Sequence, residues 1–343
     1  MHQLLQEAVQ RLLRRESLPA SVMQECVGVM MRGDAAEIDI AAVLTAMAAK
    51  GPVPEELCGA ASAMRSLATP ITSRRTPLID TCGTGGDRLH TFNISTASAL
   101  VLAGAGLNVA KHGNRSVSSS SGSADVLESL GVNVNLSADA ASECLDEIGL
   151  AFCFAPLFHG AMKHVAPVRR QLGFPTIFNL LGPLTNPASA EYQVIGTSSN
   201  QRAALIAAAM QNLQTTRTLV VCGNDELDEV SLWGETLVLE ICGSDVTEHR
   251  WHAADFGLPE CHVQVLQVSS AAESADVIRS ILAGEQSPAS RIVIANAAAG
   301  LIAAGRCGTP HEAAQQAAHA LSSGAAKQVL EQLIAVTTRL ASA

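Results

Sequence analysis

The first part of the chain carries apolar residues three or four positions apart, which is the spacing of one face of an α-helix. Residues 4–13 show this period first, with arginines on the opposite side. A second helix is predicted over residues 38–50, with Asp34 as its expected N-terminal cap, and a third over residues 54–67. This pattern predicts an all-helical domain over residues 1–72.

After Pro77 the pattern changes to short apolar runs that alternate with helical stretches. Such alternation is typical of parallel strands joined by helices that cover both faces of a sheet. The predicted strands are residues 78–80, 107–110, 132–136, 192–195, 219–222, 237–241, 263–268 and 292–294. The predicted helices include residues 95–105, 123–130, 138–148 and 202–213. The predicted fold class is α/β, with a small all-helical domain beside a larger domain that has a mostly parallel central sheet.

One stretch, residues 159–190, interrupts this alternation because it is punctuated by prolines and has helical spacing. We expect it to return to the helical domain. The sequence therefore predicts two domains. The first is helical and combines residues 1–72 with 159–190, and the second is α/β and combines residues 73–158 with 191–343.

The composition fits a globular protein and disfavours some partners. Hydrophobic residues make up 48% of the chain but aromatic residues only 3%, so the core must be built from Ala, Leu, Val and Ile. The 22 basic and 32 acidic residues give a net charge of −10, which argues against nucleic acid or an anionic membrane as the main partner. The nine cysteines form no C-x-x-C pair, and no apolar stretch is long enough to span a bilayer. We expect a soluble, cytoplasmic protein with reduced thiols.

The densest cluster of candidate site residues is D-T-C-G-T-G-G-D at residues 80–87, followed by T-F-N-I-S-T at residues 91–96. Glycines let backbone N–H groups face an anion, and the N-terminus of the helix that begins in the second segment also favours phosphate. The alternative is a tight turn followed by an ordinary Ser/Thr helix cap. The spacing fits neither a P-loop nor a G-x-G-x-x-G dinucleotide loop.

A second polar loop, K-H-G-N-R-S-V-S-S-S-S-G-S-A-D at residues 111–125, directly follows the predicted strand 107–110. Open α/β sheets bind ligands at this end of their strands. The cations, the amide and the hydroxyls of the loop therefore indicate a second anion site. The alternative is a solvated, serine-rich loop.

Adjacent carboxylates occur in D-E-L-D-E-V-S at residues 225–231, after another predicted strand. They suit Mg²⁺, which prefers oxygen ligands and often bridges carboxylates to phosphates, although an acidic run can equally be a solvated turn. The basic stretch 158–170 has histidines at 159 and 164, which is not the H-E-x-x-H spacing of a zinc site. One of its arginines could bind a carboxylate in a bidentate fork, or the stretch could be a basic helix face.

Together these segments place basic groups beside two anion loops and a carboxylate pair, in a chain that is acidic overall. The basic groups are Lys111, His112, Arg115, Lys163, Arg169 and Arg170. This combination indicates a site for a highly phosphorylated small molecule that binds together with Mg²⁺.

The motifs in these segments resemble those of the anthranilate phosphoribosyltransferase family, in the same order and spacing. They are G-T-G-G-D at 83–87, N-I-S-T at 93–96, K-H-G-N-R at 111–115, S-G-S-A-D-V-L-E at 121–128, N-L-L-G-P-L at 179–184 and L-D-E-V-S at 227–231. The resemblance implies a helical domain hinged to an α/β domain, usually in a homodimer. It also implies transfer of the phosphoribosyl group from phosphoribosyl pyrophosphate (PRPP) to the amine of anthranilate, with release of pyrophosphate. This reaction is the second step of tryptophan synthesis from chorismate.

The resemblance also implies roles for residues of this chain. The Mg²⁺ ligands would be Ser95, Asp228 and Glu229. The anthranilate contacts would be Gly83, Asn114 and Arg169, with Arg169 near the carboxylate. The residues that hold PRPP would be Gly83, Gly86, Asp87, Thr91, Asn93, Ile94, Ser95, Thr96, Lys111, His112, Gly113, Asn114, Arg115, Ser116, Val117, Ser118, Ser119 and Ser123. No residue is expected to act as a general acid or base, because the aromatic amine is already neutral at neutral pH.

Three places depart from the family pattern. Ser120 and Pro175 stand where the family often has a cation, and Arg88-Leu89-His90 replaces a smaller segment that contains glycine. Loss of two cations would weaken binding of the polyanion, and Arg88 is expected to compensate for one of them. One alternative function is that of a pyrimidine nucleoside phosphorylase, which has a similar fold but a different glycine loop. The other is a nucleic-acid-binding protein, for which a broad basic surface would be expected.

Overall fold

The computed structural model describes residues 2–116 and 121–341. The helices are α1 Gln3–Leu13, α2 Ala20–Arg32, α3 Glu37–Lys50, α4 Pro54–Leu67, α5 Ile94–Gly104, α6 Ser123–Leu130, α7 Ala138–Ile148, α8 Ala155–Phe158, α9 Ala166–Leu172, α10 Phe178–Leu181, α11 Asn200–Met210, α12 Ala271–Leu282, α13 Pro288–Ala303, α14 Pro310–Ser322 and α15 Ala325–Ala341. The strands are β1 Leu78–Gly83, β2 Asn108–Gly113, β3 Leu150–Phe154, β4 Tyr192–Gly196, β5 Arg217–Gly223, β6 Thr236–Cys242 and β7 Asp245–Trp251. Short 3₁₀ helices lie at Gly160–His164, Gly182–Leu184, Ala253–Phe256 and Val263–Leu266. Of the residues discussed above, Val117, Ser118, Ser119 and Ser120 lie outside the described part of the chain.

These seven strands form one sheet in the order β3-β2-β1-β4-β5-β6-β7. Pairing is parallel from β3 to β5 and antiparallel from β5 to β7. In the centre, Ile79 of β1 lies opposite both Val109 of β2 and Tyr192 of β4. Parallel neighbours need crossover connections, which α5 supplies between β1 and β2, and α11 between β4 and β5. The predicted fold class is confirmed.

Three of the predicted strands are wrong. Residues 132–136 alternate in burial as a strand would, but they form an irregular connection between α6 and α7 that pairs with no described strand. Residues 292–294 lie inside α13, which is buried on nearly every side, so its continuous apolar run looks like a buried strand in the sequence. Most of residues 263–268 form a 3₁₀ helix, and Gln267 makes an isolated bridge to Thr91.

The sequence pattern missed β3 and β7, for opposite reasons. β3 is buried along its whole length and directly follows α7, from which it is separated only by Gly149 in the left-handed conformation. β7 is an edge strand with mostly exposed side chains, so its sequence D-V-T-E-H-R-W contains no apolar run. The predicted cap of α3 is also wrong. The helix begins at Glu37 after Ala36, and Asp34 accepts a hydrogen bond from Arg32 instead.

Helices α1–α4 share a core that includes Leu44 and Leu57. The segment 159–190 contacts this bundle, since α9 packs on α3, α10 packs on α4, and Val168 and Phe178 are buried in the same core. Because α4 also packs on α11, the core continues onto one face of the sheet. The division of the chain into two domains at the stated boundaries stays a prediction.

The opposite face of the sheet is covered by α5 and α13, with α14 and α15 beside them. The two central helices approach closely at Gly300, where a Cβ atom would lie 2.6 Å from Leu102 Cδ1. A hydrogen bond of 3.4 Å from the Ser98 hydroxyl to the Val293 carbonyl also joins them. Among the helices of residues 2–116 and 121–341, none has the length and apolar character needed to cross a membrane.

Candidate active site

Three loops meet where parallel strands end. The glycine loop 83–87 follows β1, the polar loop 111–116 includes the end of β2, and the acidic loop 225–231 follows β5. Because β1 pairs with β2 and β4, and β4 pairs with β5, the carboxyl ends of these strands share one edge of the sheet. Open α/β sheets commonly bind their ligands at such an edge.

Two backbone hydrogen bonds join the acidic loop to the glycine loop and to α5. The Gly85 N–H donates to Asp228 Oδ2 at 2.7 Å, and the Ser95 N–H donates to Glu229 Oε1 at 2.9 Å. Ser95 lies in the first turn of α5, where unpaired N–H groups and the helix dipole favour negative charge. A side chain at Gly83 would displace the Asp228 carboxylate, because a Cβ atom there would lie 2.3 Å from Asp228 Oδ2.

The carboxyl groups of the acidic loop are buried and close together. Burial raises the pKa of Asp228, and its hydrogen-bonded neighbour Asp87 raises it further. Burial also raises the pKa of Glu229, with Asp228 adding to the effect and Lys111 opposing it. Held away from water, these groups disfavour their ionised forms unless a cation compensates the charge. A donor set made only of oxygen atoms suits a hard divalent cation such as Mg²⁺.

The chain supplies only part of a metal coordination shell. Within residues 2–116 and 121–341, no group of three or more His, Cys, Asp or Glu side chains is placed to hold a metal ion. Mg²⁺ often binds through one or two carboxylates together with water and the phosphates of a substrate. The residues at this edge therefore fit a Mg²⁺ ion that is shared with a polyphosphate ligand.

Lys111 lies buried in β2, behind the acidic loop. Its Nζ atom donates to the Thr81 carbonyl at 2.6 Å and to the Ser95 hydroxyl at 3.4 Å. It is also the positive charge that lowers the pKa of Asp80 and of Glu229. One lysine thus compensates a carboxylate in β1 and another in the acidic loop.

Asp80, the first residue of the segment D-T-C-G-T-G-G-D, belongs to this network, although the family resemblance implies no role for it. It is buried in β1 and accepts hydrogen bonds from the His112 N–H at 3.0 Å and from Asn186 Nδ2 at 2.8 Å. Burial raises the pKa of Asp80 to about 6, although Lys111 and these hydrogen bonds lower it. An acidic residue inside the apolar run 78–80 is the feature that could have indicated this role.

His112 is not one of the positive charges of the site. Its Nδ1 atom lies 3.0 Å from the Gly182 carbonyl oxygen, and its ring lies 5.2 Å from that of His159. Burial lowers the pKa of His112 to about 4 and that of His159 to about 3. Including His112 among the basic groups is therefore wrong, because the ring is neutral at neutral pH.

Asn93 joins the start of α5 to the end of the polar loop. Its side chain donates to the Ser121 carbonyl at 3.2 Å and accepts from the hydroxyls of Ser121 at 2.7 Å and Ser274 at 2.8 Å. Nearby, the Asn114 N–H and the Ser123 hydroxyl are 3.2 Å apart. Ser274 lies on α12, and the sequence did not single it out.

The guanidinium of Arg115 is already paired with acidic groups. It lies 2.9 Å from Asp125 and 2.6 Å from Glu128, and it also stacks over the Phe154 ring at 5.5 Å. The Ser116 N–H donates to Asp125 as well, at 3.0 Å. The structure therefore directs the charge of Arg115 towards α6, and not towards the acidic loop.

Other residues assigned to PRPP lie around the same edge. Thr91 leads into α5, and Ile94 is buried as the first residue of that helix. The Thr96 hydroxyl is buried without a hydrogen-bond partner among the described residues. Gly86 adopts a φ of +83°, which favours glycine, and Gly113 ends β2.

Arg169 lies in α9, outside the three loops. Its guanidinium carbon is 5.4 Å from the Phe178 ring, and Nη2 donates to Asn179 Oδ1 at 3.4 Å. Burial lowers the pKa of Arg169. No hydrogen bond or ion pair within the described residues joins Arg169 to the glycine loop.

Arg88 and His90, which directly follow the glycine loop, have strained backbone conformations. Their φ angles are +62° and +56°, in the left-handed region that side chains other than glycine rarely adopt. Arg88 is exposed and makes no hydrogen bond or ion pair with the described residues. The backbone strain therefore lies within Arg88-Leu89-His90, the segment that replaces a glycine-containing one in the family, and it begins next to Asp87.

We expect the substitution Arg88→Gly to stabilise the chain by about 0.5–1 kcal/mol, because relief of the left-handed strain exceeds the added freedom of the unfolded chain. Urea unfolding measures this change. The control is Arg306→Gly, an exposed loop arginine whose φ is not positive, and this variant should show no gain. A loss of stability in Arg88→Gly would mean that the Arg88 side chain contributes contacts of its own.

A mostly parallel sheet with anion-binding groups at its carboxyl edge, joined to a helical bundle, is the architecture of a class of glycosyl transferase. Residues 75–327 match the Glycosyl transferase family, a/b domain, and residues 6–68 match the Glycosyl transferase family, helical bundle domain. An anthranilate phosphoribosyltransferase of Chromobacterium violaceum is 45% identical over 98% of both chains. This chain belongs to the anthranilate phosphoribosyltransferase family.

Solved structures agree with this assignment. Anthranilate phosphoribosyltransferase from Thermus thermophilus has a TM-score of 0.91 at 39% identity, over 96% of this chain and 99% of that chain. The Saccharomyces cerevisiae enzyme in complex with PRPP and Mg has a TM-score of 0.91 at 26% identity, over 99% of both chains. The same yeast enzyme in complex with 4-fluoroanthranilate has a TM-score of 0.88 at 25% identity, over 99% of this chain and 100% of that chain. The family, the enzyme class and the phosphoribosyl transfer predicted from the sequence are confirmed.

Proposed function

We propose that this chain transfers the phosphoribosyl group of PRPP to the amine of anthranilate at the carboxyl edge of its sheet. The observation that carries the proposal is the joining of the acidic loop to the glycine loop and to the start of α5: the Gly85 N–H bonds to Asp228, and the Ser95 N–H bonds to Glu229. Backbone N–H groups, a helix N-terminus and paired carboxylates are thus fixed together, as binding of a metal polyphosphate requires. The yeast relative solved with PRPP and Mg supports this proposal.

The proposed Mg²⁺ ligands in this chain are Asp228, Glu229 and the Ser95 hydroxyl. When bound, Mg²⁺ would stabilise the negative charge that develops on the pyrophosphate as its bond to the ribose breaks. The protein contributes orientation, since Gly85 and Ser95 hold the carboxylates and Lys111 balances part of their charge. These groups are in place before the reaction, so little reorganisation is needed.

PRPP is proposed to bind to the residues assigned to it from the family motifs. Those within the described chain are Gly83, Gly86, Asp87, Thr91, Asn93, Ile94, Ser95, Thr96, Lys111, His112, Gly113, Asn114, Arg115, Ser116 and Ser123. His112 would act here as a neutral ring, and Arg115 would have to share its guanidinium with Asp125 and Glu128. The glycines and N–H donors would therefore carry much of the phosphate binding.

Anthranilate is proposed to contact Gly83, Asn114 and Arg169, with the guanidinium of Arg169 on its carboxylate. The amine needs no strong base because it is neutral before it attacks the ribose carbon, and no acid or base is assigned. Positioning of the amine against the ribose would supply most of the acceleration. The yeast relative solved with 4-fluoroanthranilate supports binding of this class of aromatic acid.

We also propose a cytoplasmic homodimer that is formed through the helical domain. Leu13 of α1 and Ile38 of α3 are exposed apolar side chains on two helices that pack together. Their exposed fractions of 71% and 74% leave an apolar surface that a second copy of the chain could cover.

The test of the proposed function is a fluorescence assay of anthranilate consumption. The full chain is mixed with PRPP and Mg²⁺, and the expected result is a loss of anthranilate fluorescence that requires all three components. The control omits Mg²⁺ and adds EDTA. Folded protein at high concentration that consumes no anthranilate would overturn the proposal.

The substitution Arg169→Lys is expected to raise the KM for anthranilate about tenfold while the KM for PRPP changes less than about twofold. A lysine keeps the charge but cannot form the bidentate fork that a guanidinium forms with a carboxylate. Steady-state kinetics with each substrate varied in turn measure both constants. The control is Arg170→Lys, the exposed neighbour on the same helix, which should leave both constants unchanged. An unchanged KM for anthranilate in Arg169→Lys would contradict the assignment.

A further inference from the structure

Asn296 holds the acidic loop from behind. It is buried in the middle of α13, with an exposed fraction of 3%. Its Oδ1 atom accepts the Val230 N–H at 2.7 Å, and its Nδ2 atom donates to the Val230 carbonyl at 2.9 Å. A second bond from Nδ2, to the Ile292 carbonyl at 2.9 Å, fixes the amide on its own helix. The N–H and the carbonyl of Val230, the residue after Glu229, are thus both hydrogen-bonded to the Asn296 side chain.

The same pair of helices fixes the Glu229 side chain. Its carboxylate accepts the Ser95 N–H from α5, while the adjacent backbone is held by Asn296 from α13. The two helices are joined by the Ser98–Val293 hydrogen bond and by their close contact at Gly300. The position and direction of the Glu229 carboxylate are therefore set by Ser95 and Asn296, which lie on two helices that pack on each other.

Besides the bond from the Gly85 N–H and a bond of 2.6 Å from the Asn200 N–H to Asp225 Oδ1, the loop has hydrogen bonds within its own β-hairpin. The Asn224 N–H donates to the Glu235 carbonyl at 2.6 Å, and the Ser231 N–H donates to Thr236 Oγ1 at 3.0 Å. These bonds close the loop between β5 and β6 but do not fix its backbone relative to α5. Asn296 supplies hydrogen bonds that link the loop backbone to α13, which packs on α5, and it lies 66 residues along the chain from Val230.

We propose that Asn296 is a positioning residue that holds the Asp228–Glu229 turn in the geometry needed to bind Mg²⁺ with PRPP. This inference rests on the proposed function, because it takes these two carboxylates as the metal ligands. Groups that orient metal ligands commonly change metal affinity by about 10–100-fold when they are removed. An amide that only satisfied buried backbone groups would affect folding stability alone.

The test is titration calorimetry of PRPP binding to the full chain, in Mg²⁺ and in EDTA. The ratio of the two affinities is the gain in affinity that depends on the metal. In Asn296→Ala this gain is expected to fall at least about tenfold, whereas the affinity in EDTA changes less than about twofold. The control is Ile302→Ala in the last turn of the same helix, which should lower the melting temperature but keep the gain. If Asn296→Ala does not fold, Asn296→Ser is the second variant: its shorter side chain can bond to the Ile292 carbonyl of its own helix but is too short to bond to Val230, and it should show the same loss.

Asp228→Asn/Glu229→Gln is the reference variant, and it should abolish the gain. An unchanged gain in Asn296→Ala or Asn296→Ser, with the gain lost in the reference variant, would overturn the positioning role and leave the metal site intact. A gain that survives in the reference variant would overturn the metal site itself, and with it the inference. Equal losses of the gain in Asn296→Ala and Ile302→Ala would also overturn it, because they would reflect instability of α13.

Discussion

Replacing Asp228 by Asn together with Glu229 by Gln is expected to lower kcat/KM by about 10³-fold, which corresponds to about 4 kcal/mol of transition-state stabilisation. The substitutions keep the size of both side chains but remove the charge that would hold Mg²⁺. The remaining activity should no longer rise with Mg²⁺ concentration. Anthranilate fluorescence measures the rates, and Glu331→Gln on the exposed face of α15 is the control. A double variant that kept its Mg²⁺ activation would contradict the metal assignment.

When Mg²⁺ is absent, the same variant should be more stable than the unsubstituted chain near neutral pH, although it is less active. Burial raises the pKa of both carboxyls, so between about pH 4, the usual carboxyl pKa, and neutral pH the folded chain binds more protons than the unfolded chain. The contribution of Asp228 and Glu229 to stability therefore falls as the pH rises through this range. Asn and Gln cannot ionise, and the double variant should lose this part of the pH dependence. Thermal unfolding in EDTA between about pH 5 and pH 8 measures it, and an unchanged slope would contradict the buried charge pair.

The parts of the site that the sequence predicted are those whose chemistry lies within a few neighbouring residues. The glycine loop, the start of α5 and the carboxylates at 228 and 229 each have a local pattern that points to phosphate or metal. The alternation of strands and helices also predicts that these segments share one edge of the sheet, because parallel strands end on the same side. The motif order then allowed the family to be identified before any geometry was known.

The parts that the sequence did not predict depend on contacts between distant segments. Asn186 meets Asp80 across 106 residues, Ser274 meets Asn93 across 181, and Asn296 meets Val230 across 66. These contacts exist because β4 inserts next to β1 and because α12 and α13 fold back over the site. No local spacing encodes such pairs. The charge of His112 was misjudged for the same reason, since its burial depends on the segment around Gly182.

The substitution Lys111→Met is expected to destabilise the chain by about 1–3 kcal/mol, the usual cost of leaving a buried polar group, here the Thr81 carbonyl, without its hydrogen bond, and the lost charge should add to this at higher pH. Among the residues that the structure describes, Lys111 is the basic side chain that lowers the pKa of Asp80, and it also lowers that of Glu229. Methionine fills a similar volume, so the change removes charge and two hydrogen bonds but leaves little cavity. Urea unfolding measures the loss, and Lys327→Met on exposed α15 should leave the free energy of unfolding nearly unchanged.

The loss in Lys111→Met should also depend on pH, which separates charge from packing. Burial already raises the pKa of Asp80 to about 6, and without Lys111 this pKa should rise further. At about pH 5 Asp80 would then be protonated in the folded chain and need no partner, whereas at about pH 8 it would either ionise without compensation or hold its proton at a cost. The destabilisation should therefore be larger at the higher pH. A loss that is equal at both values would mean that Lys111 acts through its hydrogen bonds to Thr81 and Ser95, and not through its charge.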